Sequence, residues 1–193
     1  MYKKIQIEDT IYTANTDFRV AIECNRIATD ETIGDYERVL GIICTMFGAD
    51  ALNNPNHYEK LLKWCLNYLS GGKEIENTSK EPDMDYIEDK GLIASSFKYD
   101  YKYNPYSMDY LSWEEFFNDL NNLSYNVELG NCCALSRARY WRSIDLSKIK
   151  DAEERKRASE LKKYHALKKY KKENNLTKEQ EESMKKLNEM LGL

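Results

Sequence analysis

Apolar residues recur at three- and four-residue spacing over most of the chain, and this period predicts helices. Asp17 stands where it can cap a helix carrying Phe18, Ala21, Ile22 and Ile27. A second run places Tyr36, Val39, Leu40, Ile43, Met46 and Phe47 on one face and stops at Gly48. Asn54-Pro55 opens a third, because proline at the first helical position needs no N–H donor there. Its stripe is Tyr58, Leu61, Leu62, Cys65, Leu66 and Leu69, ended by Ser70-Gly71-Gly72. The polar stretch 71–85 reads as a surface loop or hinge, after which "DYIEDKGLIASSF" (85–97) resumes a helix with Ile87, Ala94 and Phe97 near one face.

The period then changes. Tyr99, Tyr101 and Tyr103 alternate with Lys98, Asp100, Lys102 and Asn104, a spacing of two that suits an extended arm. Pro105 disfavours helix for the residue before it, and Ser107 can cap the next one. That helix carries Trp113, Phe116, Phe117, Leu120 and Leu123 at helical spacing.

Further on, Asp145 or Ser147 can start a helix whose apolar stripe, Leu146, Ile149, Ala158, Leu161 and Tyr164, is thin and set among charges. The final stretch opens with Thr177-x-x-Gln180, a capping-box pattern, and spaces Gln180, Met184, Leu187 and Leu191 in a coiled-coil-like row too short to stand alone. The expected fold is therefore all-α, with seven or eight helices and little or no sheet. Residues 1–147 form an acidic helical core domain and 148–193 an extended, charged helical tail. The core should draw on Leu40, Ile43, Leu62, Leu66, Trp113, Phe116 and Leu120.

Composition narrows the function classes. A chain of 193 residues, 41% hydrophobic and 32% charged, can build one sizeable core. No run is long and apolar enough to span a membrane, and the first residues are too polar for a signal peptide, so a cytoplasmic protein is expected. Residues 148–193 hold 14 basic against 9 acidic residues, or +5; with the whole chain at −4, residues 1–147 carry −9. Five scattered cysteines (Cys24, Cys44, Cys65, Cys132, Cys133) without a C-x-x-C pair read as buried thiols, not as a disulfide or zinc framework. His57 and His165 are isolated from any nucleophile pattern. No enzyme, metal or cofactor is expected.

The aromatic segment 97–117 admits three uses. Trp113, Phe116 and Leu120 read as core. The tyrosine arm can close over that core or offer anchors on a contact surface, and the pattern does not separate these two. A base-stacking platform fits worst, because a −9 body repels phosphate. Arg137, Arg139, Arg142 and the basic run beyond them could instead serve a regulatory nucleic-acid module, against which stands a solvated helix face with pairs such as Glu153–Arg157.

The order "DYIEDKGLIASSFKYDYKYNPYSMDYLSWEEFFNDLNNL", then "RSIDLSKIK" and "LKKYHAL", with "DFRV" and "WCLNYLSGG" before them, resembles the tailed-bacteriophage family called gene product fifteen over roughly residues 15–167. The resemblance implies a protein encoded beside the tape-measure gene in phages and prophages of Gram-positive bacteria and grouped with tail-assembly chaperones. It implies the tape-measure protein as partner, with other tail proteins or a second copy also possible, and a site in the host cytoplasm outside the mature virion. Partner-binding residues expected on this basis are Tyr99, Tyr101, Tyr103, Tyr106, Tyr110, Trp113, Phe117, Arg142, Leu161 and Tyr164. Two features depart from the family: the tyrosine-rich arm and the added stretch 168–193.

Overall fold

The computed structural model describes residues 2–72, 82–126 and 131–168. Most of the expected loop 71–85 and the capping-box stretch 177–191 lie outside the described residues. The chain divides into two compact units, Met1–Tyr140 and Trp141–Leu193.

The first unit begins with a β-hairpin, which corrects the expectation of an all-helical start. Strand β1 (Tyr2–Ile7) pairs antiparallel with β2 (Thr10–Asn15), in register from Tyr2 opposite Asn15 to Ile7 opposite Thr10. The two-residue loop Glu8-Asp9 closes it, with Glu8 in the left-handed region at φ 54°, where primed hairpin turns need a positive φ. The inner face is Ile5, Ile7, Tyr12 and Ala14; the outer face shows Lys4, Gln6, Ile11 and Thr13 to solvent. This alternation is the strand period.

The first three helices begin and end near their expected signals. Asp17 Oδ1 accepts from the Arg19 N–H at 2.9 Å and starts α1 (Phe18–Ala28). Helix α2 (Asp35–Phe47) stops at Gly48, whose φ of 86° and N–H to the Cys44 carbonyl turn the chain. Pro55 opens a short 3-10 turn that leads into α3 (Tyr58–Leu69). Its core face is Leu61, Cys65, Tyr68 and Leu69; Leu62 is only half-buried and Leu66 is exposed, as Leu40 of α2 is half-buried. The expected stripe is thus rotated toward Tyr68, which is buried and whose hydroxyl donates to the Thr16 carbonyl at 3.4 Å.

Helix α4 (Lys90–Asp100) starts later and runs further than the sequence suggests. Its buried face is Ile93, Ser96 and Phe97, while Ile87 precedes it and is 56% exposed. Ser112, not Ser107, caps α5 (Trp113–Asn121), its Oγ accepting from the Glu115 N–H at 3.2 Å. A minimal hairpin, β3 (Tyr125–Asn126) with β4 (Asn131–Cys132), leads into α6 (Ala134–Ser143). The Leu135 N–H donates to Ser96 Oγ at 3.0 Å.

Two apolar clusters hold this unit. In the larger, Phe116 stacks on Phe18 and Phe97 at centroid distances of 4.5 and 5.3 Å, and Trp113 packs beside it at 5.8 Å. In the smaller, Ile7 and Tyr12 of the hairpin cover Ile43, Ala51 and Leu61. The hairpin tip is pinned by buried His57, whose Nδ1 lies 2.7 Å from the Tyr12 hydroxyl and whose Nε2 lies 3.4 Å from Glu8.

In the second unit, Asp145 caps only a 3-10 turn at Leu146–Lys148, and Asp151 starts α7 (Ala152–His165), accepting from the Glu154 N–H at 2.7 Å. Ala158 is its one fully buried position, Leu161 is half-buried and Tyr164 is 77% exposed. Of the stripe expected for this helix, Leu146 and Ile149 therefore lie outside it and Tyr164 is exposed, which leaves Ala158 and Leu161 facing inward.

Candidate functional site

A groove of about 650 Å³ opens between the end of α3, the outer face of α5 and Lys3 of β1. Its aromatic wall is Trp64, Tyr68, Trp113 and Phe117. Trp64 and Tyr68, four residues apart on α3, stack at 5.0 Å with 11° between their planes. Phe117 lies 5.2 Å from the Trp113 ring, and the indole N–H of Trp113 donates to the Leu69 carbonyl at 3.2 Å, which ties α5 to the end of α3.

Gly71 sets the width of this junction. It has φ 64°, and a Cβ there would come within 2.9 Å of the Phe117 ring. Only glycine allows both the left-handed turn and the close ring, so the double glycine that ends α3 also seats the groove wall.

The rim is uncharged apart from one pair. Asn67, Asn118, Asn121 and Asn122 supply amides, while Lys3 and Glu114 form a salt bridge with each other. The Lys3 ammonium also sits 5.2 Å from the centre of the Tyr68 ring. Amides of Asn121 and Asn122 donate back to the Phe117 and Asn118 carbonyls at 2.7 and 2.8 Å, which fixes them along the helix. Such a site offers ring faces, amide hydrogen bonds and no net charge.

The ten residues expected from sequence fall into four places. Trp113 and Phe117 belong to the groove. Tyr101, Tyr103, Tyr106 and Tyr110 turn inward. The Tyr101 hydroxyl donates to the Asp119 carbonyl at 2.9 Å, the Tyr103 hydroxyl to Asp119 Oδ2 at 2.6 Å, and both rings meet Phe97 edge-on at 5.6 Å. Burial and the Asp119 hydrogen bond push the Tyr103 phenol well above its usual range. The Tyr110 hydroxyl pairs with Thr16 Oγ1 at 2.7 Å. Burial lifts the Tyr106 phenol to about 12, and its hydroxyl is buried without a hydrogen-bond partner among the described residues. Tyr99 is the exception, on the last turn of α4 and 53% exposed.

The extended arm is thereby corrected: the helix continues through Tyr99, breaks at Lys102 with φ 65°, and the tyrosines beyond it close over the core. Arg142, Leu161 and Tyr164 lie in the second unit, where Arg142 Nε donates to the His165 carbonyl at 2.6 Å and Tyr164 meets His165 edge-on at 4.9 Å. In the first unit, Arg139 is engaged by Asp83 at 3.1 Å. Sequence reasoning missed Trp64 and the four asparagines. A signal was available in "FFNDLNN", where Phe117, Asn118, Asn121 and Asn122 share one face at i, i+1, i+4 and i+5.

Burial raises the Cys24 thiol to about 12 and pushes Cys65 higher still, so both stay protonated and unreactive at neutral pH. Among the described residues no group of three or more His, Cys, Asp or Glu side chains is placed to hold a metal, and no helix is long and apolar enough to cross a membrane.

The family model described as Bacteriophage Gp15 protein matches residues 1–167. The chain belongs to this family. The match takes in the N-terminal hairpin, beyond the start of the resemblance near residue 15, and ends before 168–193. No curated protein and no solved structure matches the chain.

Proposed function

We propose that this Gp15-family protein is a non-enzymatic tail-assembly chaperone that holds a helical segment of the phage tape-measure protein in the Trp64–Phe117 groove and keeps it soluble in the host cytoplasm before the tail polymerises. A tape-measure chain is long, helical and apolar along one face, so it aggregates unless that face is covered. The observation that carries this reading is the groove itself: about 650 Å³, walled by aromatic rings, and neutral because Lys3 and Glu114 cancel. Helix-in-groove binding uses apolar anchors at i, i+3, i+4 and i+7, and ring faces with uncharged amides suit such a segment better than phosphate or a metal.

The test is co-expression with the tape-measure protein, scored by the soluble fraction and by affinity of purified fragments at two salt concentrations. Wild type should keep the client soluble with little salt dependence. Asn67→Glu with Asn121→Glu, both on the exposed rim, should abolish this while leaving the circular dichroism unchanged. Full client rescue by that double variant would reject the groove, and steeply salt-dependent binding to DNA by wild type would favour the regulatory alternative instead.

A further inference from the structure

We propose that the helical segment held in the groove carries glutamine, asparagine, serine or threonine beside its apolar anchors, and that Asn121 and Asn122 select it by demanding neutral hydrogen-bond donors. This rests on the groove reading above and adds to it the chemistry of the segment's polar flank. Helix α5 shows the groove one face along its whole length: Trp113, Phe117 and Asn121 stand four residues apart, and Glu114, Asn118 and Asn122 follow the same step. From Glu114 to Asn122 the face runs about 12 Å, room for about two turns of an occupant. Its first part brings the rings of Trp113 and Phe117, which take apolar anchors, and its end brings the amides of Asn121 and Asn122.

Which atom each amide offers is fixed by its bond to the backbone. Asn121 Nδ2 donates to the Phe117 carbonyl at 2.7 Å, and Asn122 Nδ2 donates to the Asn118 carbonyl at 2.8 Å. A carbonyl oxygen can only accept, so the amide nitrogen must be the atom that faces it. Both residues are exposed, and neither Oδ1 has a partner among the described residues. The end of the groove thus presents two acceptors on successive residues. An occupant that covers them without supplying donors leaves them unpaired, which costs more than an unmade contact elsewhere.

The donors must come from side chains, because backbone N–H groups inside a helix are already bonded to its own carbonyls. Cationic donors fit poorly. The carboxylate that lines the groove, Glu114, lies about two turns away along α5 and is taken by Lys3. The negative end of α5 is also met from within: the Phe117 and Asn118 carbonyls accept from the two amides, and the Asp119 carbonyl accepts from the Tyr101 hydroxyl. A lysine or arginine covered at this end would lose water without gaining a counter-charge. An ionised carboxylate offers no donor at all and would face two acceptors. Amides and hydroxyls remain, and they can be covered here at no cost in buried charge.

Three synthetic helical peptides, bound to the full chain and read by fluorescence anisotropy, test this. All carry leucine at i, i+3, i+4 and i+7. Beside that stripe one has glutamine, one has lysine and glutamate in equal number, and one has alanine, so that none carries net charge along its flanks. Wild type should bind the glutamine peptide about fivefold tighter than either of the others. Asn121→Ala with Asn122→Ala should bring the three within about twofold of one another, by weakening the glutamine peptide. The wild-type ranking decides the matter even if the double variant folds poorly. Equal binding of the three by wild type, tightest binding of the lysine–glutamate peptide, or a glutamine preference that survives in a folded double variant would each overturn the proposal and leave the groove reading standing. Binding of none of the peptides would overturn the groove reading and this inference with it.

Discussion

Tyr101 and Tyr103 on one side, and Trp64 and Phe117 on the other, are all half-buried rings in the same unit, yet they do different work. The two tyrosines spend their hydroxyls on Asp119 and lay their rings edge-on against Phe97, so what each could offer a partner is already used. Trp64 and Phe117 have no comparable closure; each is backed on one side by another ring and lines open groove on the other. Fractional burial alone therefore does not mark a contact surface. What marks it is whether the polar end of the ring is spent inside and whether space remains over the ring face.

The comparison can be broken hardest at Trp113, which belongs to both sides. It is fully buried, anchors α5 to the Leu69 carbonyl and also backs Phe117. Trp113→Ala should cost about 3–5 kcal/mol of stability, as for other large aromatic core truncations, and chemical denaturation measures it. A loss below about 1 kcal/mol would show that the ring is not the keystone of this junction.

A smaller effect separates the tyrosine turn from an arm. Tyr103→Phe keeps the ring on Phe97 but removes the donor to the Asp119 carboxylate, and should cost about 1–2 kcal/mol. Tyr99→Ser, at the exposed end of α4, should stay within about 0.5 kcal/mol of wild type. Equal costs at the two positions would mean that the inward geometry of Tyr103 carries no stability.

Alkaline pH probes the same inward phenols together. Tyr86 and Tyr106 are raised to about 12 by burial, and Tyr103 is raised by burial and by Asp119. The folded chain thus holds protons that the unfolded chain releases near pH 10. Stability should be flat up to about pH 10 and fall as pH rises from there through the folded values, because the unfolded state binds fewer protons in that window. Urea midpoints measured across it, with Tyr103→Phe flattening the slope, check the sign.

How much of this was legible varies by element for physical reasons. The caps at Asp17, Gly48 and Pro55 were readable because each acts on its own few residues. The hairpin was not recognised: its loop, Glu8-Asp9, lacks the Asn-Gly or Gly signal that primed turns favour, although Ile5, Ile7 and Ile11 are β-formers. The alternation of Tyr99, Tyr101 and Tyr103 imitated a strand while the chain was in fact finishing α4 and turning at Lys102. What turns Tyr101 and Tyr103 inward is Asp119, eighteen and sixteen residues away, and no local period reports that partner. Trp113 and Phe117 were recognised as aromatic positions, but the groove needs Trp64 and Tyr68 from α3, whose end meets α5 through the Trp113 hydrogen bond to Leu69 and the close approach at Gly71.

The remaining expected effect concerns Tyr106, and its sign is opposite. Its ring meets Phe18 edge-on at 5.4 Å and lies under the Lys90 ammonium at 5.0 Å, so the aromatic face is well used. Its hydroxyl is buried with no acceptor or donor among the described residues, unlike those of Tyr101, Tyr103 and Tyr110. A buried hydroxyl without a partner opposes folding, and removing it while keeping the ring relieves that cost. Tyr106→Phe should therefore be neutral or stabilising by up to about 1 kcal/mol, where Tyr103→Phe destabilises. Measured side by side in the same denaturant series, a loss at Tyr106 as large as that at Tyr103 would show that its hydroxyl is bonded after all, and the contrast between spent and unspent phenols would have to be drawn elsewhere.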